Sequence, residues 1–561
     1  MILQKQKIGI FLFFSSALFL RILLGMKTGI WFPAAQRADD LLMVEYALFD
    51  AHFSGQNIYS LVKYIGFPIF LQAVFHSHLP YAVCIAFQWW FNGLLTFFVM
   101  RRLCRSHWLP YAFAAYLMFL PPAFESWCGT RLYRNACIGP FALTVLLLMV
   151  LIFLRLNEEK HKLDLFLSLL LGFLFLFTYY LKEDGAWLLA CVVLWFSVGF
   201  LYAVFRRQKG PLLFFCIPFL VFLTGSIVYR CINDHFFGVF ETNTRTGGEP
   251  GRFCEIIYQI DSSERTADVW APYDAIQKAF AASDTLAKYP QLLQSIHDTP
   301  WFGGNIETQP ITGDFLGWVL RSSLEECGLW ENENQISTLF GNINDELEEA
   351  LQNGSLPTQK GRVQLLPSAG SRSAKEVFSL RTLVKDAFAG AIFLKGYTPG
   401  VRKVSSEETD SNLVFVNVAR ELTNTPGLNT LDPDSASYTA ILKTLELFFG
   451  LYRILNVVLF ALSIFILTTG IIKALTNIRH IRQCLKIHFH FYIMALTAGL
   501  FLCIGIAYAF SIGWFSSFLF QDGTDMRILN FYNIALPGLL SLSYLFAAAA
   551  ASNIAPLFHR Q

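Results

Sequence analysis

Long stretches in which nearly every position is apolar, with no two-residue or three-to-four-residue alternation, dominate this chain. A helix that is hydrophobic all round is buried in protein or surrounded by lipid, and crossing the hydrocarbon core takes about 20 such residues. Runs of that length fall near 8–26, 80–100, 108–124, 136–154, 163–181, 186–205, 211–230, 451–472, 487–512 and 529–550. They predict an all-α polytopic membrane protein with about ten spans. The apolar run from Tyr64 to His76 has only thirteen residues and reads as an interfacial or re-entrant helix.

Between about 231 and 450 the pattern changes to helical periodicity with Gly and Pro punctuation. Trp270 to Ala282, Phe315 to Cys327, Ile336 to Leu351 and Ala374 to Phe393 read as amphipathic helices, and Thr242 to Gly251 and Val404 to Ser411 as loops. The expected organisation is a transmembrane module over 1–230, a mainly helical soluble insertion over 231–450 and C-terminal membrane helices over 451–561. There is no internal repeat and no low-complexity tract.

Charge refines this picture. Only 15% of residues are charged against 54% hydrophobic, whereas soluble domains carry about 25% charged residues. The formal net charge of +2 gives no footprint for nucleic acid. Cytoplasmic loops collect Lys and Arg, and a count from a cytoplasmic N-terminus places Arg101, Arg102 and Arg105, then Arg206, Arg207 and Lys209, then Arg479, Arg482 and Lys486 inside. Counting Tyr64 to His76 as a span would turn the Arg101 and Arg206 clusters outward. Both termini are therefore expected in the cytoplasm, with 27–79, 125–135, 182–185 and 231–450 on the outer side of a cell membrane. The N-terminal run carries Lys5 and Lys7 but no small-residue cleavage site, so it reads as an uncleaved first helix. Among the eleven cysteines, Cys254 and Cys327 are the pair well inside the insertion, and spacing leaves open a disulfide or two thiols.

The outer loops hold the residues that could carry chemistry. Asp39 and Asp40 stand before Leu41-Leu42-Met43-Val44, with Glu45 and Asp50 following. Either aspartate could serve as a general base or as a ligand for a divalent cation such as Mg or Mn; either could instead cap the next helix. Lys63, ahead of the short apolar helix, could hold a lipid phosphate or snorkel as an anchor. The second loop holds Glu125, Trp127, Arg131, Tyr133 and Arg134. Three positions apart, the two arginines would point one way on a helical turn and could grip a phosphate, with pairing to Glu125 as the alternative. Lys182, Glu183 and Asp184 are ionisable groups pressed between two spans; they are functional candidates, or mark the water boundary. Asp522, Asp525 and Arg527 repeat that ambiguity. Signatures of P-loop ATPases, HExxH zinc proteases, GxSxG hydrolases and paired-CxxC zinc ribbons are absent. His480, His488 and His490 read as inner interfacial residues.

A first span, an outer Asp-Asp pair, the sequence Lys63-Tyr64-Ile65-Gly66-Phe67-Pro68, the turn Gly129-Thr130-Arg131-Leu132-Tyr133-Arg134 and the segment Lys182-Glu183-Asp184-Gly185-Ala186-Trp187-Leu188-Leu189 together resemble a type-C (GT-C) membrane glycosyltransferase. That superfamily includes protein O-mannosyltransferases and lipid A aminoarabinose transferases, and the resemblance covers roughly the first 230 residues. It implies inverting transfer of a sugar from a polyprenyl-phosphate donor to a glycan, lipid or protein acceptor at the outer membrane face, with or without a metal. Asp39 or Asp40 would deprotonate the acceptor or bind the cation, and Glu125 or Glu183 would be the second acid. Lys63, Arg131, Arg134 and Lys182 would hold the departing phosphate. The insertion lies between the seventh and eighth expected spans, whereas many members carry a soluble part after the last. A transporter or lipid flippase, and a non-catalytic cell-envelope assembly protein, are the competing classes.

Overall fold

The structure is a computed structural model that describes residues 2–35, 37–156, 161–206, 210–299, 306, 309–476 and 489–553. Regular structure among the described residues is helical throughout, with isolated bridges and no strand. Eight helices are long and apolar enough to cross a membrane: Lys7–Thr28, Tyr81–Leu103, Asn135–Arg155, Lys162–Tyr179, Ala186–Phe205, Leu213–Phe237, Ala436–Thr476 and His490–Phe520. A helix satisfies its own backbone N–H and C=O groups, which lipid cannot do, so apolar runs of this length take this form. Helices of this kind mark a multi-pass membrane protein.

Two of the ten expected spans differ from expectation. The 108–124 run forms a helix only over Leu109–Met118, followed by a 3-10 turn at Pro121–Phe124. Leu120 precedes Pro121, which disfavours helical backbone there, and it is extended at ψ 132°. The 529–550 run is broken into Met526–Tyr532 and Leu536–Ser552, bent by 71°. The helix that carries the eighth expected span, Ala436–Thr476, runs unbroken for 41 residues and starts inside the expected insertion. Tyr64 to His76 is short as expected, a 12-residue helix over Gly66–Ser77. Arg207, Lys209, Arg479, His480, Arg482, Lys486, His488 and the C-terminus lie outside the described residues.

The bundle has two ends. At one, Asn553 Nδ2 donates to Leu103 O at 3.1 Å. At the other, the loops after the first, third and fifth apolar runs meet one another and the long insertion: Trp31 N donates to Thr130 O (3.0 Å), Gly66 N to Tyr180 O (3.0 Å), Thr244 N to Leu61 O (2.8 Å) and Ser126 N to Thr398 O (2.8 Å). Within the bundle, Thr144 Oγ1 donates to Asn92 Oδ1 (2.6 Å) and Asn92 Nδ2 to Pro140 O (2.9 Å), tying two helices by the polar contacts that replace the hydrophobic effect in lipid.

The insertion contributes short helices at Gly248–Ile257, Tyr273–Ala282, Leu316–Glu326 and Glu333–Gln352. The stretch expected as one helix over Ala374 to Phe393 is two, Ala374–Ser379 and Arg381–Phe393. The expected loop Val404 to Ser411 contains the helix Ser406–Ser411, capped by the Ser405 hydroxyl, which accepts from Glu408 N at 3.0 Å. The Thr242 to Gly251 loop already includes the first residues of Gly248–Ile257. Arg321 and Glu333, 1% and 0% exposed, pair at 3.0 Å, and Arg321 Nη1 also donates to Ile58 O at 2.7 Å. That buried pair pins the insertion to the first loop. Cys254 and Cys327 are separate thiols.

Candidate functional site

Asp39 and Asp40 lie in a π-helical turn, Arg37–Leu41, that runs straight into the helix Leu42–Ala47. Neither caps that helix, which starts without any side-chain cap. Successive residues of a helical turn project in different directions, so the two carboxylates meet different partners. Asp39 Oδ1 accepts from Lys63 Nζ at 2.8 Å and from Tyr133 Oη at 3.1 Å. Asp40 accepts from Arg131 through both oxygens, Nε at 2.7 Å and Nη2. The Asp40 side chain is 0% exposed, whereas Asp39 keeps 43% of its surface open beside a Lys63 at 6%.

Each cation is placed by the backbone around it. Lys63 follows Leu61 and Val62, whose carbonyls accept from Thr244 N and from Asn243 Nδ2 (3.2 Å). It precedes Gly66, whose amide is tied to Tyr180 O. No side chain fits at Gly66, since a Cβ there would stand 2.3 Å from that same carbonyl. Arg131 is held by a parallel bridge to Trp31. Its guanidinium is surrounded by Trp31, Trp127, Tyr133 and Phe531 at 5.1 to 5.9 Å from the ring centroids. Arg134 sits at the start of the Asn135–Arg155 helix and donates to both Glu183 oxygens at 2.8 and 2.7 Å. The two arginines therefore face different carboxylates rather than one shared anion.

Lys182 stands 3.0 Å from Asp184 and against the Tyr532 ring at 5.4 Å. Glu125 stays apart from the ion-paired set. Its buried carboxylate accepts from the backbone of Trp127 (2.9 Å) and Cys128 (2.7 Å) and organises its own turn. Asp525 caps Met526–Tyr532 through Arg527 N.

The chain matches no protein-family model, no curated protein and no solved structure.

The site's chemistry therefore rests on its own geometry, and that includes residues the sequence did not single out. Arg245 and Trp318 come from the insertion: Arg245 pairs with Asp314 at 2.6 Å, and both Arg245 and Lys63 lie against the Trp318 indole. Tyr133 bridges Asp39 and Arg134, receiving a hydrogen bond from Arg134 Nη2 at 2.7 Å. Nothing in sequence spacing brings residue 245 beside residue 63.

Burial and pairing split the acids. Burial works to raise the Asp39 carboxyl, but Lys63, with Arg134 and Arg131 behind it, more than offsets this and holds it well below the ordinary range. Burial wins at Asp40, pushing it up to about 6 against the pull of Arg131. Glu183 is also buried, and Arg134, Lys63 and Arg245 together bring it down to about 2. Burial raises Glu125. Each carboxylate is turned toward its own cation, Asp39 to Lys63 and Asp40 to Arg131, and no cluster of three or more His, Cys, Asp or Glu suited to a metal occurs among the described residues; a hydrated Mg²⁺ or Mn²⁺ held by Asp39 and a substrate phosphate would have to displace Lys63.

Proposed function

We propose that the chain is a membrane glycosyltransferase that moves a sugar from a polyprenyl-phosphate donor to an acceptor at the outer face of the bilayer. The observation that supports the reading best is the pairing of a solvent-accessible carboxylate, Asp39, with a sealed cation, Lys63, at one end of an apolar helix bundle. A lipid-linked donor carries its phosphate at the membrane interface, where fixed positive charge can meet it. The acceptor hydroxyl attacks the anomeric carbon, the bond from that carbon to the phosphate oxygen breaks, and the acceptor proton passes to Asp39. The phosphate leaves with its electron pair and is held by Lys63 and Arg134, with Lys182 at the edge.

While Lys63 is paired with Asp39, that carboxylate is too weak a base to take a proton. A donor phosphate competes for the ammonium, and Asp39 gains basicity as Lys63 turns away, so the base is armed only when donor is present. Asp40 and Arg131, closed off from solvent, position the turn that carries Asp39. In this reading the chain crosses the membrane ten times, with Leu109–Phe124 and the bent Met526–Ser552 segment as crossings, both termini inside and the insertion outside.

The test is transfer from a panel of labelled polyprenyl-phosphate sugars by the full chain in vesicles, for wild type and Asp39→Asn. Loss of a general base lowers the rate by about 10²–10⁴-fold. Turnover of one donor by wild type with that loss in the variant supports the reading; near-normal transfer by the variant removes Asp39 from catalysis.

A further inference from the structure

Three cations from three separate parts of the chain act on one carboxylate, Glu183, which bonds to Arg134 and feels Lys63 and Arg245 at a distance. Arg134 grips Glu183 through both oxygens, while Lys63 and Arg245 lie 5.2 and 5.3 Å from the centroid of the same Trp318 ring. Lys63, Arg134 and Arg245 are 5%, 2% and 8% exposed. Burying like charges side by side is costly unless an anion sits among them. Glu183 supplies only part of what they can bind, because Nε of Arg134 and Nε of Arg245 are buried with no hydrogen-bond partner. The other counter-ions, Asp39 and Asp314, are the open ones, at 43% and 35%.

We propose that Lys63, Arg134 and Arg245 form a single phosphate-binding site in which the Glu183 carboxylate holds the ligand's place. A carboxylate offers one negative charge and two oxygens, and a phosphate monoester offers up to two charges and three oxygens, so the phosphate displaces Glu183 from Arg134. Arg245 makes the insertion part of the site, and the Trp318 ring spaces its guanidinium from Lys63. That the ligand is the polyprenyl phosphate released on transfer, a monoester where the sugar-bearing donor is a singly charged diester, rests on the transferase reading; the anion chemistry is read from the side chains alone.

The experiment is equilibrium binding of a labelled polyprenyl phosphate, and separately of inorganic phosphate, to the full chain in nanodiscs. Wild type is compared with Glu183→Gln, Arg245→Gln and Arg245→Lys. Arg245→Gln weakens binding about tenfold, the worth of one charge-assisted hydrogen bond, and Arg245→Lys recovers part of it. Glu183→Gln, which keeps the shape and removes the competing charge, tightens binding by a similar factor. Inorganic phosphate following the same order shows that the phosphate group is recognised; a response to the lipid alone overturns a site defined by these cations. Weaker binding in Glu183→Gln, or binding indifferent to Arg245→Gln, also overturns the proposal. Anion binding that follows both variants in a protein that transfers no sugar keeps this inference and sinks the enzymatic reading. Transfer with binding indifferent to both does the reverse.

Discussion

Asp39 and Asp40 are adjacent in the chain and opposite in surroundings, and their asparagine variants separate accordingly. Asp40→Asn leaves the Arg131 guanidinium buried among aromatic rings without its counter-charge, a loss of about 3–5 kcal/mol. Asp39→Asn also takes the counter-charge from a buried Lys63, but it keeps an amide oxygen for Lys63 and Tyr133 and has solvent beside it, so it costs less, about 1–3 kcal/mol. Thermal unfolding in detergent is expected to drop more for Asp40→Asn, while transfer falls in Asp39→Asn without comparable destabilisation; equal melting shifts would contradict the split. Glu183 makes a second residue-scale prediction. Its folded value lies near 2 against an ordinary 4.5, so its contribution to stability is full above 4.5 and disappears as pH falls toward 2. Asp40, raised to about 6, has the opposite sign, since the folded state holds the extra proton between 3.8 and 6. Asp40 is common to both proteins, so the difference between wild type and Glu183→Gln isolates Glu183: wild type loses more stability from about pH 5 to about pH 3. Parallel curves would rule the assignment out. The individual acids and bases of the loops were legible in the sequence because charge beside a long apolar run is conspicuous. Their partners were not, since Arg245 and Trp318 reach Lys63 only through the folded insertion.

Short elements aim the site. The Gly66–Ser77 helix begins with its amide on Tyr180 O, three residues after Lys63, and a methyl at Gly66 would press into that carbonyl. Gly66→Ala is expected to cost about 1–3 kcal/mol through overpacking and to displace Lys63, raising the donor KM. Melting temperature and donor titration measure the two effects; unchanged values in both would show the contact to be slack. The length of this helix was readable from its thirteen apolar residues. The break at Asn533 to Ala535 stands one helical turn before Pro537, and the short Leu109–Met118 helix stops before Pro121-Pro122, so prolines mark both departures from the plain apolar count.

For the whole molecule, the loops that share one end of the bundle require an even number of traverses between successive members of the set. That parity counts Leu109–Phe124 as a crossing in the proposed topology, and the side the shared end faces is open to labelling. In a background without reactive thiols, Ser355→Cys should react with an impermeant reagent on intact cells, and His107→Cys only after permeabilisation. The reverse order would place the charged site on the cytoplasmic side and end the proposed donor geometry. The division into apolar bundle and polar insertion was visible in composition, since lipid and water select opposite residues. The packing of the insertion onto the loops depends on pairs such as Arg321 with Glu333, far from the residues they anchor.

The Ala436–Thr476 helix, at 1.5 Å per residue, is about 60 Å long, against about 40–45 Å for a bilayer with its headgroups. Near its first turn, Tyr438 Oη donates to Thr28 O at 2.6 Å and accepts from Val401 N at 3.1 Å. One rigid rod therefore joins the lipid to the collar of loops, and any change in its tilt reaches the first loop as a displacement. Hydrophobic mismatch sets tilt, so turnover in synthetic liposomes is expected to pass through an optimum as acyl chains are lengthened, and a flat response would mean the rod bends before it moves the collar. The lipid composition of the host membrane would then govern the speed of the proposed transfer.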